Sequence, residues 1–182
     1  PGTNEHSVAE LAISMITAIY RGFPHRNRVV RAGLWTRQIL PRLAGRTLGL
    51  VGLGRIGRAV VSRAIGLGLH VVAFDPLADA EWCRAAGVKL VSFGELLATS
   101  DIVSLHCPAT TETYNLINAS TIAQMKPSAV LINTSRGNLV DEDALVEALR
   151  SGRLFAAGLD VFKVEPPPAD HPLFQLENVL LS

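Results

Sequence analysis

Thr47-Leu48-Gly49-Leu50-Val51-Gly52-Leu53-Gly54-Arg55-Ile56-Gly57 decides the fold. Its first five residues read as a short buried strand, and three glycines follow at G-x-G-x-x-G spacing. Arg55 to Leu67 reads as a helix, and His70-Val71-Val72-Ala73-Phe74 as a second strand closed by an acid, Asp75. Strand, glycine turn, helix, strand, acid is the dinucleotide-binding fingerprint in its required order. Gly52 allows a tight turn where a side chain would clash, Gly54 lets the backbone approach a pyrophosphate, and Gly57 lets the helix lie close to the strand. The first-turn N–H groups near Arg55 and Ile56 then face the phosphates, and the helix dipole favours that negative charge. Asp75 is placed to accept hydrogen bonds from both hydroxyls of the adenosine ribose. A 2′-phosphate there would meet like charge, and Pro76-Leu77-Ala78-Asp79 offers no cation to neutralise it. The residues therefore point to NAD rather than NADP.

Working outward, a chain of 182 residues that is 48% hydrophobic can bury a real core, and one domain is the natural count. The net charge of +1 argues against a global field for nucleic acid. No apolar run is long enough to span a membrane, so no membrane partner is expected. The N-terminal stretch lacks the zones of a signal peptide. Cys83 and Cys107 lie far apart, neither in a CxxC pair, so neither a disulfide framework nor a metal site is expected, and a reducing cytoplasm fits best. Seven of the 14 arginines fall between Arg21 and Arg46, where Asp and Glu are absent. An electropositive arm is one reading. A solvated connector that wraps the domain or meets a partner subunit is the simpler one, because aromatic residues are sparse there.

Before this stretch, Val8 to Tyr20 is apolar at nearly every position, and Ser7-Val8-Ala9-Glu10 has capping-box spacing. A helix apolar all round must be buried on more than one face. One face can lie on a sheet; the other implies a second partner, which suggests a homodimer through helix 7–20. After the basic connector, strands are expected near 47–52, 70–75, 88–91, 101–107, 129–134, 155–160 and 178–182. Helices are expected near 55–67, 79–86, 93–98, 119–125 and 142–151. This alternation predicts an α/β fold, a doubly wound parallel sheet (Rossmann fold), preceded by a long buried helix. Right-handed crossovers put helices on both faces, and ligands collect at the carboxyl ends of the strands.

Several polar residues fall at those ends. His106, Cys107 and Pro108 close one strand, Asn133-Thr134-Ser135-Arg136-Gly137 the next, and Asp160 the one after, with Glu165 in a proline-rich loop beyond. Singly, each has a plain reading: His106 as a core imidazole bonded to backbone, Asp160 as a turn cap, Arg136 as half of a surface ion pair, Glu165 as a solvated carboxylate. Together they surround the crevice that the glycine turn marks.

Five segments carry a resemblance. They are Asn4-Glu5-His6-Ser7-Val8-Ala9-Glu10, Gly49 to Gly57, His106-Cys107-Pro108-Ala109-Thr110, Asn133 to Glu142, and Gly158-Leu159-Asp160-Val161-Phe162 running to Glu165-Pro166-Pro167. On these the chain resembles the NAD-binding domain of the D-isomer-specific 2-hydroxyacid dehydrogenases. Within that family it is most similar to the phosphoglycerate dehydrogenases, followed by glyoxylate and hydroxypyruvate reductases.

The resemblance implies a set of roles. Arg55 and Ile56 match the pyrophosphate turn and Asp75 the ribose acid. Cys107 and Pro108, in the motif that His106 opens, match positions near the adenosine half. Thr134 and Ser135 match backbone near the nicotinamide, and Asp160 the acid that bonds its carboxamide. Arg136 matches the arginine that holds the substrate carboxylate and polarises its carbonyl. Glu165 matches the acid that orients and charges a catalytic histidine.

That histidine follows, in the family, the strand that Asn178-Val179-Leu180-Leu181-Ser182 resembles. Neither His106 nor His171 fits its place. The expectation is a cofactor domain, residues 1–182, whose substrate domain and catalytic base lie elsewhere, so that the chain lacks turnover alone. A small 2-hydroxy or 2-keto acid is the substrate implied for the intact enzyme. A non-catalytic NAD sensor of the same family and a purely structural dimerisation module are the competing readings.

Overall fold

The computed structural model describes residues 4–36 and 39–182. Arg37, in the basic stretch, lies outside them. Seven parallel strands form one sheet: β1 (Thr47–Val51), β2 (His70–Phe74), β3 (Lys89–Leu90), β4 (Ile102–Leu105), β5 (Ala129–Asn133), β6 (Leu154–Leu159) and β7 (Val179–Leu181). Their spatial order is β3-β2-β1-β4-β5-β6-β7. Parallel strands need crossovers, which α3 (Arg55–Gly66), α4 (Ala80–Ala85), α5 (Phe93–Thr99), α6 (Ala119–Gln124) and α7 (Glu142–Arg150) largely supply. The chain runs outward from β1 through β2 to β3, then returns to β4 on the other side of β1. That reversal creates a crevice at the carboxyl ends of β1 and β4.

Both faces of the sheet are covered, which is why β4 and β5 are buried at every position. Leu48, Leu50, Ile102, Val130 and Ile132 point to one core, shared with α1 (Glu5–Tyr20) and α3. Val51, Val103, Leu105, Leu131 and Ala157 point to the other, shared with α5, α6 and α7. Local signals start the helices. Asp79, Ser92 and Asp141 accept first-turn N–H groups of α4, α5 and α7, and Asn118 with Thr121 forms a capping box on α6.

The helices and strands expected from the sequence stand within a residue or two of their observed bounds. Three features differ. α1 begins at Glu5 behind Asn4, with no side-chain cap, so Ser7 sits inside the helix rather than opening it. It is buried along one stripe, Ala9, Ala12, Met15, Ile16 and Tyr20, rather than all round; Val8, Leu11, Ile13 and Ile19 remain half-covered. The basic connector contains a helix, α2 (Phe23–Arg31), with no buried residue. Its signals were Pro24 in the first turn and Gly33 just beyond the end, where φ is +76°. No described helix is long and apolar enough to cross a membrane.

Candidate functional site at the carboxyl edge

The glycine turn is built by interlocking backbones. Gly52 has φ +100°, a conformation side-chain-bearing residues rarely adopt, and a Cβ there would lie 2.7 Å from the His106 carbonyl carbon. Gly57 lies against the Gly52 carbonyl, so α3 docks directly on the turn. Gly52 N–H donates to Phe74 (2.9 Å) and His106 N–H to Val51 (2.8 Å), locking β1 between β2 and β4 at this edge. Gly54 faces open space: an added Cβ would touch nothing within 4 Å. It is also the N-cap of α3 and offers no side chain, so the first-turn N–H groups near Arg55 and Ile56 carry no side-chain cap. An uncapped helix N-terminus that faces open space suits an anion.

Asp75, half-buried after β2, does more than the sequence indicated. One carboxylate oxygen accepts the Leu53 N–H at 2.7 Å and the other the Leu77 N–H at 2.8 Å. It therefore braces the glycine turn from the side. Each oxygen retains a lone pair, so the carboxylate still has acceptor capacity for two hydroxyls. Arg58, which sequence reasoning passed over, stands close by. Its Nε donates to the Leu53 carbonyl (3.3 Å), its guanidinium lies 4.5 Å from the Trp82 ring centroid, and it pairs with Asp79 at 3.8 Å. Its position in the helix phase, one residue after Gly57, was the available signal.

Next along the edge, His106 is buried. Its Nε2 meets the Ser104 hydroxyl at 2.9 Å, so it is a core imidazole held by a side chain rather than by backbone. Its Nδ1 is buried without a partner among the described residues, and burial pushes its pKa down to about 4. Cys107 is half-buried with a thiol raised chiefly by burial, and Pro108 is exposed.

The β5 end is organised by Asn133, a second residue the sequence reading left unassigned. Its Nδ2 donates to the Arg136 carbonyl (2.8 Å), and its Oδ1 accepts the Ser135 N–H (3.1 Å). An Asn at a strand end that closes the following turn on itself is the readable pattern. Ser135 Oγ donates to the Leu105 carbonyl at 2.8 Å, tying this turn to β4. Thr134 Oγ1 is buried and unpartnered among the described residues. Arg136 is exposed; it makes no ion pair among the described residues, and one N–H donates to the Ser135 carbonyl at 2.6 Å. The rest of its planar donor fork is uncommitted.

Asp160 continues the series. Its N–H donates to the Asn133 carbonyl (3.0 Å), and its half-buried carboxylate takes no hydrogen bond from the described residues. Gly137 lies directly against the Phe162–Lys163 backbone. Glu165 is exposed and accepts the Phe162 N–H at 3.1 Å. Its loop is fastened to α7: Glu142 accepts the Lys163 N–H at 2.7 Å and meets His171 Nε2 at 3.3 Å.

Comparison with known proteins agrees with this architecture. The family described as D-isomer specific 2-hydroxyacid dehydrogenase, NAD binding domain, matches residues 13–182.

The chain belongs to the D-isomer-specific 2-hydroxyacid dehydrogenase family.

It is 43% identical to the D-3-phosphoglycerate dehydrogenase of Archaeoglobus fulgidus, an alignment covering 100% of this chain and 35% of that protein. It is also 43% identical to the glyoxylate reductase of Korarchaeum cryptofilum, over 100% of this chain and 57% of that protein. The crystal structure of the TT0316 protein from Thermus thermophilus, 42% identical, superposes with a TM-score of 0.92 and covers 100% of this chain and 58% of its own. The chain thus spans between about a third and somewhat over half of these relatives. The family's cofactor is NAD, and the open turn at Gly54 with the adjoining Asp75 acceptors fits a dinucleotide diphosphate and its ribose.

Proposed function

We propose that this chain is the cofactor half of an NAD-dependent enzyme that interconverts a D-2-hydroxy acid and a 2-keto acid. The observation that carries the proposal is the uncapped N-terminus of α3, open above Gly54 and braced by Asp75, at the point where the strand order reverses. In this reading Gly52, Gly54, Arg55, Ile56 and Gly57 hold the pyrophosphate. Asp75 accepts the adenosine ribose hydroxyls, and His106, Cys107 and Pro108 wall the adenosine side. Thr134 and Ser135 flank the nicotinamide, and the Asp160 carboxylate orients its carboxamide.

When bound, the nicotinamide supplies hydride transfer. This chain's own contribution is position and charge. Arg136 holds the substrate carboxylate with its uncommitted donors, ideally in a two-pronged charge-assisted contact. Glu165 orients and charges a histidine that, with the substrate domain, lies outside these 182 residues; that histidine takes the hydroxyl proton. Phosphoglycerate is the first substrate reading. The equal identity to a glyoxylate reductase, of which the chain covers more, favours glyoxylate as the second. A homodimer through α1 belongs to the same proposal, supported by the half-covered outer side of that helix and the exposed Phe23, Val30, Leu34, Trp35 and Ile39 that follow it. A cytoplasmic setting is proposed on cysteine usage.

The test has two arms. Titrating the chain with NADH should give a saturable change in cofactor fluorescence, and a flat titration overturns the reading. In the intact enzyme, Arg136→Ala should lower kcat/KM far more than NADH affinity; the reverse pattern reassigns Arg136 to the cofactor.

A further inference from the structure

A concavity lies at the opposite edge of the sheet, among the amino ends of the strands. It is a partly open cleft of about 140 Å³ between the starts of β1, β4, β5 and β6, and its lining includes Tyr20, Arg46, Asp101, Lys126, Pro41 and Phe155. A five-residue strand spans roughly 15 Å, so this cavity and the glycine turn sit a strand's length apart.

Its charges do not cancel. Asp101 is the one acid in the lining, and both cations converge on the same oxygen of it: Arg46 Nη1 at 3.3 Å and Lys126 Nζ at 3.3 Å. Its other oxygen accepts the Thr47 N–H at 2.8 Å. Burial pushes the Asp101 carboxyl up, but the Thr47 N–H, Lys126 and Arg46 together outweigh it and hold the pKa below the ordinary value. Two cations therefore face one ionised carboxylate, and each keeps donors beyond the one it gives to Asp101.

The second observation is Tyr20. It is only 5% exposed overall and lines this cavity, and no side-chain hydrogen bond commits its hydroxyl to another described residue. A tyrosine whose ring is packed away while its polar tip borders open space can offer that tip to a ligand. Burial pushes this phenol up to about 12, with Arg46 opposing and Asp101 adding, so it stays protonated and can donate. Pro41 and Phe155 supply an apolar wall beside this donor set.

We propose that this cavity is a binding site for a small organic carboxylate, held by Arg46, Lys126 and the Tyr20 hydroxyl, with a short apolar body against Pro41 and Phe155. A partly open cavity of this small size suits a ligand of few heavy atoms rather than a nucleotide. The site is independent of the cofactor reading: it shares no residue with the carboxyl edge.

The test is a titration of the chain with sodium propionate, followed by amide chemical shifts, with propionamide and inorganic phosphate at matched ionic strength as controls. Propionate should give saturable shifts at Tyr20, Arg46 and Lys126 while propionamide gives none. Equal responses to both, or no saturation, overturn the proposal; phosphate binding as tightly as propionate overturns its carboxylate assignment. Lys126→Met should weaken propionate about tenfold, as expected for loss of a charge-assisted bond. Because that change also touches Asp101, Tyr20→Phe serves as the gentler variant. It should keep the thermal transition and NADH titration of the parent while weakening propionate about three- to tenfold. An unchanged propionate affinity in Tyr20→Phe removes the tyrosine and, with it, the argument.

Discussion

Between Thr47 and Gly57 most of the backbone is wedged against neighbouring main chain; from Phe23 to Thr36 the chain lies over the surface and buries no side chain. The turn touches β2, β4 and α3 through main-chain atoms, and Asp75 fastens its outer flank. The arm has no buried residue among those described, and exposes Phe23, Val30, Leu34, Trp35 and Ile39. Composition already separates them: glycine gathers in the first, at Gly49, Gly52, Gly54 and Gly57, and arginine in the second, at Arg26, Arg28 and Arg31. The physical difference behind it is whether neighbouring backbone leaves room for a side chain.

Glycine substitutions offer the sharpest contrast. Gly137, where the β5 turn meets the Phe162–Lys163 backbone, cannot take a Cβ without displacing main chain. Gly137→Ala should cost more than about 3 kcal/mol, at the upper end for overpacking. Gly33, at the end of α2, has φ +76° and nothing within 4 Å. Gly33→Ala should cost only about 1–2 kcal/mol of left-handed strain. Urea melts measure both, and equal losses would erase the distinction between pinned edge and loose arm.

Acid probes the pinned edge from inside. His106 titrates at about 4 in the folded chain and near 6.5 when unfolded. The unfolded state therefore binds the proton first. The imidazole's contribution is intact above pH 6.5 and drains away as pH falls toward 4, by roughly 3 kcal/mol in all. His106→Asn should flatten the pH–stability curve in that window relative to the parent; an unchanged slope would assign the acid sensitivity to other groups.

Asp75→Ala should weaken NADH by about 1–3 kcal/mol, read by calorimetry, and narrow the preference over NADPH. Because two backbone N–H groups lose their acceptor as well, part of this loss should appear as a lower Tm without cofactor. An unchanged NADH/NADPH ratio would refute the ribose role while leaving the brace.

The smallest folding effect is expected in the arm. Trp35→Ser, at a residue 75% exposed, should shift stability by no more than about 0.5 kcal/mol at a concentration where the chain is monomeric. Light scattering at higher concentration should then report loss of the dimer. A parent that is itself monomeric there would count against the proposed interface.

The same contrast explains what could be read from the sequence. Strands β1, β4 and β5 were legible because covering both faces demands near-continuous apolar runs such as Ala129-Val130-Leu131-Ile132. The crowding at the candidate site was partly legible, since the glycine spacing encodes where backbones meet. The braces were not: Asp75 to Leu53, Ser135 to Leu105 and Glu142 to Lys163 join residues whose proximity only the folded sheet creates. α2 escaped notice because a helix that buries nothing leaves no apolar period, and its punctuation at Pro24 and Gly33 was the sole clue.

The double engagement of Asp75 limits how cofactor choice can be re-engineered. An acid that only selected the sugar could be exchanged freely for a neutral residue to admit a phosphorylated one. This one also props the loop on which the diphosphate would rest, so such a swap slackens the cradle while it widens the choice. A redesign that keeps the carboxylate's two backbone partners satisfied, and introduces a compensating cation at exposed Leu77, starts from firmer ground.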